Sequence, residues 1–124
     1  MSLRPSIIAD QRGSSALEFA IVGPVFISLV IGLIYGCLLL FTMASLQYAV
    51  EEGSRCASVK TTVCTNSSST ITYTQAAYLG PFTAPTFTST TAACGHTVSG
   101  STSFRFDIGL AALTVPLSAT ACFP

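Results

Sequence analysis

The sequence predicts an α+β membrane protein: one long N-terminal transmembrane helix continuing into an amphipathic helix, then a small disulfide-linked antiparallel β domain. Three observations lead there. From Phe19 to Val50 the chain carries no charged residue. Beyond this run, apolar residues recur at spacings of three and four as far as Ala57. The remainder is rich in Thr, Ser and Ala, and four of the five cysteines lie past the apolar run.

Residues 1–13 read as a leader, residues 14–60 as the long helix and residues 61–124 as the β-rich domain. A bilayer core of about 30 Å needs roughly 20 apolar residues at about 1.5 Å each. The apolar run meets that need, and its membrane part is expected at about residues 17–46 by that length. Within it, Gly23-Pro24 marks a tolerated kink, and Gly32 and Gly36 form a small-xxx-small pair. Cys37 reads as a small buried hydrophobe.

Orientation follows from charge. Arg4, Arg12 and the amino terminus outweigh Asp10, whereas Glu51 and Glu52 follow the run before any cation. The positive-inside rule then puts the N-terminus in the cytoplasm and the C-terminal domain outside the inner membrane. A secretory signal has a shorter apolar core of about 7–15 residues. Leu33-Ile34-Tyr35-Gly36-Cys37 loosely matches a lipobox, but Tyr35 is bulky and Leu38-Leu39-Leu40-Phe41 stays apolar.

Over residues 47–60 the helix becomes amphipathic. Met43, Leu46, Val50, Gly53 and Ala57 fall on one stripe, with Gln47, Glu51, Ser54, Arg55 and Ser58 on the other side. Glu51 and Arg55 stand at i, i+4 in the favourable order. Lys60 to Ser69 reads as a loop, with a glycosylation sequon at Asn66-Ser67-Ser68. A short helix is expected over Thr74–Leu79, stopped by Gly80-Pro81. Three strands follow, at Ala84–Ala93, His96–Ile108 and Thr114–Cys122. Phe104, Phe106 and Ile108 share one face of the second, and Val115, Leu117, Ala119 and Ala121 one face of the third. Pro116 suits an edge position.

Cys56, Cys64, Cys94 and Cys122 form an even set, which in a small domain reads as two disulfides in an oxidising compartment. Of three pairings, Cys56–Cys64 and Cys94–Cys122 are favoured: the first is local and the second ties the last strand to its neighbour. A zinc site is the rival, but no CxxC pair occurs and His96 is the single histidine.

The function classes narrow quickly. With five basic and five acidic residues there is no basic stripe for nucleic acid. His96 has only Asp107 as its nearest acid in sequence, and no GxSxG elbow or SxxK pair is present. No enzyme and no cofactor is expected. Glu18 stands out instead, because a charge inside a membrane helix is costly. Its simplest explanation is an interfacial carboxylate favoured by the positive helix N-terminus. That leaves its company unexplained: Arg12-Gly13 before it, five residues of spacing, then Phe19.

Gly13-Ser14-Ser15-Ala16-Leu17-Glu18-Phe19 resembles the cleavage region of bacterial type IV prepilins. More narrowly, RGSSALEFAIVGPVFISLVIGLIYG and LQYAVEEGSRCASV, with the terminal SATACFP, resemble the TadE-like pseudopilins of the Tad (Flp pilus) system. The resemblance implies that a prepilin peptidase cuts after Gly13 and exposes Ser14. It implies that Glu18, followed by Phe19, governs assembly by neutralising the amino group of a neighbouring subunit's Ser14. It further implies other pilin or pseudopilin subunits, an inner-membrane assembly platform and membrane lipid as partners. The C-terminal domain exceeds what a major Flp pilin carries, which favours a minor, pilin-like role. The rival is an uncut single-span accessory protein of the envelope.

Overall fold

The computed structural model describes residues 12–81, 83–107, 109 and 111–124. The chain divides into two compact units, Met1–Gly36 and Cys37–Pro124. Its elements in order are α1 (Arg12–Val59), α2 (Ser67–Ala77), β1 (Thr86–Ala92), β2 (Gly95–Asp107) and β3 (Ala112–Phe123). The leader expected at residues 1–13 lies outside the described residues up to Gln11.

The described part of the first unit is helix alone. The best apolar window of α1, within Gly13–Val59, has a mean hydropathy of 2.5 and is 6% buried, so the helix is long and apolar enough to cross a membrane. Phe19 is 79% exposed, and Leu17, Val25 and Leu29 are exposed with it. Surface of this kind needs lipid or other helices around it. Pro24 sits inside the helix, and one turn on the Ser28 hydroxyl donates to the Pro24 carbonyl at 2.7 Å.

The second unit is a sheet packed on helix. The strand order is β1-β2-β3 and both pairings are antiparallel. The core joins Leu46, Ala49 and Val50 of α1 to Phe87, Val98 and Ala119, one from each strand. Strand alternation explains the selection: Val98 and Phe104 point inward and are fully buried, while Arg105 and Asp107 point out. Ile108 lies outside the described residues. Pro116 stands opposite Ser103 on β3, an edge strand, where the missing N–H costs no ladder bond.

Burial by the second unit begins at Thr42, and the buried stripe of α1 is wider than its apolar residues suggest. Thr42, Ser45 and Ser54 are buried, whereas Met43 is 38% exposed. Each of these three hydroxyls is hydrogen-bonded, two of them to their own helix. Thr42 donates to the Leu38 carbonyl at 2.8 Å and Ser54 to the Glu51 carbonyl at 3.0 Å, while Ser45 accepts from the Leu79 N–H at 2.8 Å. That back-bonding lets a hydroxyl occupy an inner helix face. Glu51 accepts from Gln47 at 3.2 Å instead of pairing with Arg55. Cys37 is exposed and free, not buried, because burial starts further along the helix.

The helix expected at Thr74–Leu79 starts earlier, at Ser67. Asn66 supplies the reason: its side chain accepts from the Ser69 N–H at 2.9 Å, and Ser69 Oγ returns the favour to the Asn66 N–H at 3.1 Å. This reciprocal cap starts a helix within a serine run of modest propensity. The sequon asparagine is thus the N-cap of α2. Between β1 and β2, Gly95 takes φ of +123°, which closes the hairpin where a side chain would be strained.

Candidate processing and assembly site

Gly13, Ser14, Glu18 and Phe19 all lie on α1 in the first unit. A Cβ added at Gly13 would meet nothing within 4 Å, and the residues from Gly13 to Ala20 are exposed. Ser14 and Glu18 stand one helical turn apart on the same face. Counted from Arg12, the first described residue, the first turn of α1 holds no acidic residue.

The second unit holds the four paired cysteines. Cys56–Cys64 closes the loop between α1 and α2 with Cα atoms 5.8 Å apart, and Cys94–Cys122 joins the β1–β2 hairpin to β3 at 6.3 Å. The pairing is the one the spacings favour. The first bridge is buried, the second exposed, and all four sulfurs serve the fold. Arg105 pairs with Asp107 at 3.2 Å on the surface, and Asp107 also accepts from the Gly109 N–H. His96 edges a hollow of about 330 Å³ lined by hydroxyls of α2 and β1, with no carboxylate among its described walls.

Two groups here have shifted acidities. A hydrogen bond from Lys60 Nζ to the Tyr73 hydroxyl, 3.0 Å, holds the ammonium above its ordinary range. Burial pushes the Tyr78 phenol up from its usual value near 10.0. The Tyr78 hydroxyl oxygen is buried without a hydrogen-bond partner among the described residues.

Residues 13–55 match the family model described as TadE-like protein. This segment is TadE-like. The match opens on Gly13, takes in Ser14, Glu18 and Phe19, runs through the whole apolar stretch, and ends at Arg55, one residue before the first disulfide cysteine. The TadE-like match thus covers the helix, while the disulfide-linked sheet lies outside it. No curated protein and no solved structure matches the chain.

Sequence reasoning missed the contacts that fix the second unit: Ser45 with Leu79, and Gly53 with Thr74. Only the small size of Gly53 on the inner stripe signals such a close approach. It also missed the exposed hydroxyl rows of the sheet, whose signal is the alternation of Thr and Ser in all three strands.

Proposed function

We propose that this chain is a minor pilin-like component of a bacterial Tad pilus. The carrying observation is the TadE-like match over residues 13–55, which begins at the glycine where cutting is expected. In this reading a prepilin peptidase removes the leader after Gly13 while α1 lies in the inner membrane with its N-terminus cytoplasmic. Ser14 then becomes an amino terminus. The exposed, weakly buried α1 supports a helix that exchanges lipid for neighbouring helices during assembly.

Glu18 supplies the selectivity. An unpaired carboxylate in a low-dielectric environment is unfavourable, and pairing with a partner amino group removes that cost. Charges of opposite sign attract far more strongly there than in water. The disulfide-linked sheet, held in the periplasm, gives the subunit a face that a major helical pilin lacks. Its two bridges suit an oxidising compartment.

A Glu18→Ala variant tests this role. It should still be cut after Gly13 yet fail to enter or support pili, scored by sheared-surface fractions and microscopy. Normal piliation with the variant would count against the assignment. A chain left uncut after Gly13 would instead favour the single-span accessory protein of the envelope.

A further inference from the structure

We propose that the Leu113 end of the sheet, together with Leu79, rests in the lipid interface of the bilayer that α1 crosses. The inference rests on reading α1 as membrane-spanning and on no part of the pilus assignment. Contacts within the second unit fix the direction of the sheet along α1. The Ser58 hydroxyl donates to the Phe123 carbonyl at 3.0 Å, and Gly100 lies against Leu46. In the β2–β3 register Phe123 stands opposite His96, Ala119 opposite Gly100 and Leu113 opposite Phe106. Passing from Ser58 to Leu46 along α1 therefore means passing from Phe123 to Ala119 along β3. Leu113 lies further on in the same direction, toward the Cys37 end of the helix. Leu79 belongs to that end too: its N–H donates to Ser45, and the nearby Thr83 carbonyl accepts from Thr102 of β2 at 3.1 Å.

The burial of β3 changes along this direction. Ala119, Leu117, Val115 and Leu113 alternate onto the inward face. Ala119 is buried, Leu117 and Val115 are half-buried, and Leu113 is 63% exposed. An inward-facing leucine left open means that the apolar face outruns the core at this end. Leu79 is exposed there as well, as are Leu40 and Phe41 of α1. The sequence joining β2 to β3, Ile108-Gly109-Leu110-Ala111, carries no charge. The opposite end holds Lys60, Asn66 and His96.

Continuity with α1 selects the occupant. Counted from Phe19, a hydrocarbon core of about 30 Å ends at about residue 38. That level lies about 12 Å from Leu46 along the helix. The strand from Gly100 to Phe106 spans about 20 Å, so the hairpin reaches this level even when inclined to α1. Lipid already surrounds the exposed apolar residues of α1 at that depth, and Leu113 and Leu79 extend the same surface sideways. The exposed Arg105–Asp107 pair sits in the same hairpin. Charges resist the hydrocarbon, so the hairpin stops among the headgroups with its leucines lowered past them.

The chain contains no tryptophan, so a single introduced indole reports alone. Leu113→Trp, Leu79→Trp, Val63→Trp and Val25→Trp variants of the full-length chain are placed in nanodiscs of ordinary or acyl-brominated phosphatidylcholine. Leu113→Trp and Leu79→Trp should emit at shorter wavelength than Val63→Trp and be quenched by bromine severalfold more. Val63→Trp should stay open to iodide, and Val25→Trp, inside the apolar run, should be quenched by bromine whatever the sheet does. Iodide-accessible, bromine-insensitive emission from Leu113→Trp beside a quenched Val25→Trp would overturn the proposal and leave the span intact. An unquenched Val25→Trp would remove both. Short-wavelength emission from Leu113→Trp without bromine quenching would mean cover by a second copy, which also overturns it. Should a variant fail to form both disulfides, the wild-type chain decides by leucine-methyl NMR: a headgroup spin-labelled lipid should broaden Leu113 and Leu79 and spare Leu117, and equal broadening of all three or of none would contradict the proposal.

Discussion

Gly53 of α1 lies directly against Thr74 of α2. A Cβ at position 53 would collide with the Thr74 hydroxyl oxygen, and Thr74 is fully buried. The Thr74 hydroxyl is itself held, donating to the Thr70 carbonyl at 2.8 Å. This contact sets how closely α2 approaches α1.

Gly53→Ala therefore carries two opposed effects. Helix propensity favours alanine by about 1 kcal/mol, while forcing atoms into a filled site costs about 1–3 kcal/mol. The second wins because Thr74 has nowhere to move. A net loss of about 1 kcal/mol is expected, read by urea unfolding of the second unit. Adding Thr74→Ala should recover part of it as a coupling of opposite sign.

The two disulfides should differ in reactivity. Cys56 and Cys64 are 1% and 6% exposed, whereas Cys94 and Cys122 are open to solvent. Mild reductant followed by alkylation and mass mapping should label Cys94 and Cys122 first. Loop lengths of 8 and 28 residues set the entropic contributions. They correspond to about 2.5 kcal/mol for the short loop and about 3.6 kcal/mol for the long one. The more accessible bridge is also the more stabilising, so the Cys94→Ala, Cys122→Ala pair should lower stability more than the Cys56→Ala, Cys64→Ala pair on chain entropy alone.

Alkaline pH should weaken the second unit through Tyr78. Its folded-state acidity is shifted upward by burial, so the folded state holds the phenolic proton more tightly than the unfolded chain does. Stability is unaffected by this group below about pH 10 and falls as pH rises above that value. Tyr78→Phe removes both the titration and a buried hydroxyl that lacks a partner. The variant should match or exceed wild type at pH 7 and lose less stability between pH 9 and 11 in thermal melts.

What was legible in the sequence is what depends on pattern. The charge-free run from Phe19 to Val50, the alternation around Phe104 and the position of Pro116 each obey one local rule, and the helix, sheet and edge strand follow. What was not legible depends on partners distant in sequence or on competition within it. Ser54 is polar yet buried because it bonds back to Glu51, and Met43 is apolar yet exposed because the domain covers a neighbouring strip of the helix. The start of α2 was hidden in a serine run, where only the pairing of Asn66 with Ser69 tells helix from loop. At the candidate site, the spacing of Gly13 and Glu18 is a sequence feature, and the structure adds that both stand exposed on helix.

The central claim is that the chain is a pilin-like subunit freed from its leader after Gly13. The most direct measurement is the intact mass and N-terminal sequence of membrane-extracted protein, taken from cells with and without the prepilin peptidase. The account predicts a mature terminus at Ser14 that disappears when the peptidase is deleted. A chain that still begins at Met1 or Ser2 in peptidase-positive cells would contradict it.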